Sequence, residues 1–121
     1  MNQNLFQIVL TACPDAASAE RIARVLVEEG LAACVNILPG LISIYIWQGA
    51  RQREQEAAMI IKTRAGLGES VIAEVRRLHP YSNPALVVLP VKAGSADFLA
   101  WIATQTTVRE TGAGVAAHEE Q

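Results

Sequence analysis

The stretch LAACVNILPGLISIYIWQG, residues 31–49, followed by ARQREQEAAMIIKTR, residues 50–64, decides the fold of this chain. Residues 31–48 carry no charge over a length close to that of a membrane span. Asn36, Pro39 and Gly40 interrupt them, however, and β-branched residues dominate, so a strand is the better reading and no membrane partner is expected. A proline inside a sheet implies a bulge or an edge, which places a bend at Pro39-Gly40 in a strand over residues 32–47. Past the bend, Ile42, Ile44 and Ile46 point one way while Leu41, Ser43, Tyr45 and Trp47 point the other, leaving both faces largely apolar. Residues 48–51 turn the chain, and residues 54–63 return as a third strand with Ala57, Met59 and Ile61 on one face. The helices of one small domain cannot readily cover both faces of such a hairpin, so part of it is expected to be buried between subunits.

Upstream, Phe6 to Thr11 forms a first strand, stopped by Pro14-Asp15, where Asp15 supplies a helix cap. Ala19, Ile22, Ala23, Leu26 and Val27 then recur at the spacing of one buried helical stripe, and Gly30 ends the helix. Downstream, Gly66 and Gly68 break the third strand, and a helix carrying Val71, Val75 and Leu78 runs to His79 before Pro80 stops it. Residues 85–91 give a fourth strand. Ser95 caps a short helix with Phe98, Leu99 and Ile102 on one side. The order βαββαβ plus a terminal helix is that of an α+β, ferredoxin-like domain, an antiparallel sheet with both main helices on one face. Residues 1–106 form this single domain, and residues 107–121, rich in Gly, Ala, Thr and Glu, are expected to be a mobile tail.

Composition narrows the function. The 121 residues are 51% hydrophobic and 18% charged, with a formal net charge of −2. That apolar excess suits a subunit interface, and the scattered arginines offer no stripe for phosphates, so nucleic acid is not an expected partner. Residues 1–10 have neither a basic n-region nor a long apolar stretch, which gives a cytoplasmic expectation. Cys13 and Cys34 form no CxxC pair, and reduced thiols are expected. The topology sends Cys13, the hairpin tip and the residue 79–84 loop to one edge of the sheet and Cys34 to the other. A bridge requires Cα atoms within about 7 Å, so none is expected between them.

Read in order, Thr11-Ala12-Cys13-Pro14-Asp15, Leu31-Ala32-Ala33-Cys34-Val35-Asn36-Ile37, Pro39-Gly40, Ser43-Ile44-Tyr45 and Trp47-x-Gly49 resemble the CutA divalent-cation-tolerance family. Glu56-x-x-Met59-x-Ile61-Lys62-Thr63, His79-Pro80-Tyr81, Leu89-Pro90-Val91 and Leu99-x-Trp101-Ile102 continue the resemblance in the same order. It spans about residue 7 to about residue 106. The resemblance implies a ferredoxin-like fold and a tight homotrimer in which long hairpins pair with neighbouring subunits. It also implies a role linked to copper and other divalent cations, and it implies no enzymatic activity. Family members often carry carboxylates within or just after the His-Pro-Tyr loop, where this chain has Ser82, Asn83 and Ala85, and some relatives place a cysteine at the position of Thr11.

His79 is the first metal candidate, because imidazole suits copper, zinc and nickel. The competing reading is a helix-terminal cap bonded to backbone carbonyls. Cys13 could add a soft thiolate or be a small core residue, and Cys34 reads as packing. With His118 in the tail, a closed four-ligand zinc site within one subunit is not expected, and any copper or other divalent ion is expected to bind weakly. Trp47, Glu56, Lys62 and Tyr81 are candidates for an aromatic-lined ligand cleft, against plain structural roles for each. Ser43, Ile44, Tyr45, Trp47 and Trp101 are the expected trimer contacts. Catalysis would need Cys13 as nucleophile and His79 as base, but the sequence offers no third group to orient the histidine, no glycine-rich oxyanion loop adjoining Cys13 and no phosphate motif. The chain is therefore expected to be no enzyme and to need no organic cofactor. The leading expectation is a homotrimer acting in divalent-cation tolerance through metal binding. The alternative is a trimeric signalling or scaffolding module that takes a metabolite or protein at its clefts.

Overall fold

Asp15 starts the first helix by accepting a hydrogen bond from the Ser18 amide at 2.8 Å, which satisfies one of the N–H groups that a helix start leaves unpaired. The computed structural model describes residues 5–107, in the order β1 (Phe6–Cys13), α1 (Ala16–Glu28), β2 (Cys34–Trp47), β3 (Ala50–Arg64), α2 (Gly68–Leu78), β4 (Val87–Pro90) and α3 (Ala96–Gln105). The strands form one antiparallel sheet in the order β2-β3-β1-β4, the split βαββαβ arrangement read from the sequence. Beyond Thr107, the expected tail lies outside the described residues.

Odd-numbered residues of β1 and β3 form the core face. Val9, Cys13, Ala57, Met59 and Ile61 meet Ile22 and Leu26 of α1 and Val71 and Val75 of α2 in one buried cluster. Each fully buried aliphatic side chain contributes about 1.5–3 kcal/mol relative to exposure. Val27, expected on the buried stripe of α1, is instead 43% exposed. Ala19, Ile22 and Leu26 already fill the arc that faces the sheet, and Val27 stands about 100° round the helix from Leu26. The chain leaves α1 through paired bonds, Gly30 N–H to Val27 O and Leu31 N–H to Leu26 O, which satisfy two terminal carbonyls.

All four strands differ in extent from expectation: β1 runs on to Cys13, β2 starts at Cys34, and β3 and β4 change most. β3 begins at Ala50, because Gln48 and Gly49, at φ of 51° and 82°, make a two-residue turn that pairs Trp47 directly with Ala50. The charged run Arg51 to Glu56 is thereby held in the ladder. β4 is limited to Val87–Pro90 because its pairs with β1 run only from Gln7 to Leu10.

The bend at Pro39-Gly40 is a β-bulge. Leu38 pairs with Ala58 and Leu41 with Glu56, so β2 carries one residue more than β3 across this step, and Gly40 has a φ of +77°. β1 ends opposite Ala57, so the seven pairs from Leu41–Glu56 to Trp47–Ala50 form a two-stranded arm with no third strand beside it. At about 3.3 Å per residue the arm extends roughly 20 Å past the sheet. Ile44 and Ile46, both 66% exposed, leave it on the α1–α2 side, and Trp47, 57% exposed, on the other. Lys62 and Arg64 point from β3 to that second side and reach α3. Lys62 Nζ lies 5.4 Å from the Phe98 ring centroid, and Arg64 donates to Ala103 O and Thr106 Oγ1. Of the three apolar residues expected to share one side of α3, only Ile102 is buried.

Candidate functional site

The end of β1 and the end of α2 meet because antiparallel order brings both to the same edge of the sheet. There the His79 side chain, 7% exposed, is bonded at both ring nitrogens. Nε2 lies 2.7 Å from Ala12 O, and Nδ1 accepts the Tyr81 amide at 3.0 Å. A carbonyl only accepts, so this geometry assigns the proton to Nε2 and leaves Nδ1 as acceptor. His79 is thus a strap from the α2–β4 loop to β1. Cys13 Sγ is 3.6 Å from His79 Nε2 and 3.6 Å from Met59 Sδ. Burial, reinforced by Asp15 and Glu56, pushes its thiol up to about 11.

The next residues of the loop turn toward the hairpin arm. Tyr81 donates to Glu56 Oε2 at 2.9 Å, and Ser43 Oγ donates to Glu56 Oε1 at 2.7 Å, so one carboxylate joins the loop, β3 and β2. The His79 and Tyr81 rings lie 4.8 Å apart. Between the loop and the arm is a cleft of about 590 Å³ whose lining includes Tyr45, Trp47, Glu54, Glu56, Tyr81 and Asn83. Desolvation and the field of Glu56 raise the Tyr81 phenol above its usual range. Desolvation and the Glu54 and Glu56 carboxylates raise Tyr45 in the same direction.

Three of the four expected cleft residues, Trp47, Glu56 and Tyr81, therefore come together. Lys62 does not join them. It shares a face of β3 with Glu56, but six residues of strand put them roughly 20 Å apart, and Lys62 sits over Phe98 beside Ile8 and Cys34. Cys34 is half-buried, with its thiol 3.8 Å from Asn36 Oδ1, and both cysteines are free. The expected trimer contacts lie on two surfaces. Ser43, Tyr45 and Trp47 lie on the cleft side of the arm and Ile44 on its reverse, while Trp101, 41% exposed, stacks on Phe98 at 5.7 Å. Sequence reasoning missed Glu54 as a cleft residue and Ser43 as a partner of Glu56. The alternation of β2 beyond the bulge was the signal for both, since Ser43 pairs with Glu54 and Leu41 with Glu56.

The donor set at His79 and Cys13 does not fit a resident divalent ion. Both imidazole nitrogens are engaged by backbone, the thiol is held protonated, and a metal requires the neutral nitrogen lone pair and the thiolate. Among the described residues, no group of three or more His, Cys, Asp or Glu side chains is placed to hold a metal ion, and no helix is long and apolar enough to cross a membrane.

Comparison with known proteins agrees with this architecture. Residues 7–105 match the family model described as CutA1 divalent ion tolerance protein. The divalent-cation tolerance protein CutA of Thermus thermophilus is 43% identical over 100 residues, 83% of this chain and 97% of that protein. Its counterpart in Pectobacterium atrosepticum is 40% identical over 95 residues, 78% of this chain and 86% of that protein. The crystal structure of CutA from Xylella fastidiosa superposes with a TM-score of 0.82 at 42% identity, over 84% of this chain and 98% of that one. CutA1 from Oryza sativa gives a TM-score of 0.83 at 35% identity, over 87% of this chain and 96% of that one. Sequence and overall fold both agree, and the chain belongs to the CutA1 divalent ion tolerance family.

Proposed function

We propose that this protein acts without catalysis, as a homotrimer, in tolerance of divalent cations, copper foremost. The observation that carries the reading is the arm. A two-stranded ribbon is marginal in water, and this one exposes Ile42, Ile44 and Ile46 on one side and Leu41, Tyr45 and Trp47 on the other. Apolar surface of that kind on an open edge is stable only when covered, and a ring of identical chains offers each arm two neighbours. The raised Cys13 thiol and the backbone-bound His79 support the absence of cysteine catalysis.

Direct ion contact at these two residues would require His79 to release Ala12 O or the Tyr81 amide and Cys13 to lose its proton. Binding there is therefore expected to be weak. Sedimentation tests the assembly, with a trimer expected for the native chain and monomers for Ile44→Asp; an unchanged trimer in the variant counts against the arm as its seam. Titration with Cu(I), Cu(II) and Zn(II) tests the role of the ion. Heat that is weak in the native chain and survives in His79→Ala places contact elsewhere, whereas none for any ion removes direct binding from the reading. The 590 Å³ cleft favours a second reading, a small-ligand module, because three aromatic rings and two carboxylates converge there.

A further inference from the structure

The arm carries a different sign of charge on each of its faces. Toward the residue 79–84 loop, Glu54 and Glu56 stand beside the rings of Tyr45 and Trp47, and none of the residues lining the cleft there is Lys, Arg or His. On the reverse face Arg53 pairs with Ile44 and Arg51 with Ile46, and the third pair is Ile42 with Gln55, so no carboxylate belongs to it. Strand alternation separates the signs, because residues 51 and 53 of β3 are odd and residues 54 and 56 even. Arg51, Arg53 and Glu54 are exposed, and none of them has a hydrogen bond or ion pair among the described residues. A ribbon of this kind restricts how copies of the chain can cover it. A two-fold contact lays a face on its own kind, Glu54 on Glu54 or Arg53 on Arg53, and like charges brought together across a seam are strongly unfavourable. A head-to-tail contact lays unlike faces together, and it closes into a ring.

We infer that the seam between copies is head-to-tail, with the isoleucine and arginine face of one arm against the aromatic and carboxylate face of the next. Arg51 and Arg53 of each copy then enter the neighbouring cleft and meet its Glu54 and Glu56. A guanidinium pairs with a carboxylate and also stacks on an aromatic face, so Tyr45 and Trp47 serve the same two arginines. The apolar area matches as well. Ile44 and Ile46, each 66% exposed, lie on one side of that seam, and Trp47, 57% exposed, lies on the other. Glu56 is held in place by Ser43 and Tyr81, which fixes one carboxylate for the incoming charge, while Glu54 is free to follow it. The inference rests on the homotrimer reading and adds to it the direction in which each chain meets the next.

The test is sedimentation equilibrium over a series of chain concentrations, with circular dichroism to check that each variant keeps its sheet and helices. One variant reverses the acidic face, Glu54→Arg/Glu56→Gln, another reverses the basic face, Arg51→Glu/Arg53→Glu, and a third combines all four changes. Each single-face reversal is expected to raise the concentration for half-assembly by about tenfold or more at low salt, and added sodium chloride should narrow the difference. The combined variant exchanges the signs of both faces and should assemble at least about tenfold more tightly than either reversal. An equimolar mixture of the two single-face reversals should recover less than the combined variant, because three chains cannot alternate and one seam in the ring still sets like against like. Reversals that assemble as the native chain does, a combined variant no tighter than either, or a mixture that equals it would overturn the inference. A native chain that stays monomeric at every concentration removes the trimer reading itself, whereas a trimer indifferent to all the reversals removes only the head-to-tail order.

Discussion

Replacing His79 by alanine should lower stability by about 3 kcal/mol. The side chain makes two hydrogen bonds to backbone, to Ala12 O and from the Tyr81 amide. Each contributes about 1 kcal/mol net, and the carbonyl and amide left behind are partly screened from water. The ring is 7% exposed and packs on Tyr81, so its removal leaves a gap costing roughly another 1 kcal/mol. Chemical denaturation at one fixed chain concentration measures the loss, because the proposed assembly would make stability depend on concentration. Two partial replacements sharpen the test. Asparagine can still accept from the Tyr81 amide and glutamine can still reach Ala12 O, so each should recover about 1 kcal/mol. A loss in His79→Ala below about 0.5 kcal/mol would refute the strap. So would a native chain that a chelator destabilises as much as the mutation does, since that result would make His79 a metal ligand.

Cys13 should make stability pH-dependent at the alkaline end. Burial pushes the folded thiol from the ordinary 9.0 up to about 11, so its contribution is complete below about pH 9, declines as the unfolded thiol ionises, and levels off above about 11. Denaturation curves of Cys13→Ala should lose the part of the decline that begins near pH 9, while the part above about pH 10, due to the raised Tyr81 and Tyr45 phenols, persists. Alkylation at neutral pH should label half-buried Cys34 well before Cys13, and peptide mapping that finds the reverse order would contradict the burial of Cys13. Tyr81→Phe should cost roughly 1 kcal/mol in urea melts by removing the bond to Glu56, and no loss would show that water replaces it fully. Gly40→Ala should cost about 1–2 kcal/mol through its φ of +77° alone, since a Cβ there meets nothing within 4 Å; a neutral result would mean that the bulge relaxes.

The hairpin, the two main helices and the sheet were legible because they rest on periodicity, which a sequence displays directly. Ala57, Met59 and Ile61 were expected on one face and form the centre of the core. The convergence of Cys13 and His79 was legible from strand and helix direction. The strap was not, because both partners of His79 are backbone atoms, and one of them lies 67 residues away with no side-chain signature. Lys62 was misplaced for a different reason. Alternation assigns a residue to a face but says nothing of distance along it, and in a long strand that distance exceeds the width of a cleft. Val27 shows a similar limit, since helical spacing marks an apolar arc without saying how much of it the sheet covers.

The bulge at Pro39-Gly40 works as an elbow in the arm. Pro39 and Gly40 together stand opposite Ala57, so Leu38 and Leu41 share one side of the sheet although they are three residues apart in the chain. Deleting either Pro39 or Gly40 would restore an unbroken ladder and leave the distal pairs as they are, Tyr45 opposite Gln52 and Trp47 opposite Ala50. The facing of the arm residues would survive, while the bend and added twist that the extra residue gives the strand would be lost. The extra residue therefore sets the aim of the arm, and the side chains of the arm set what it presents.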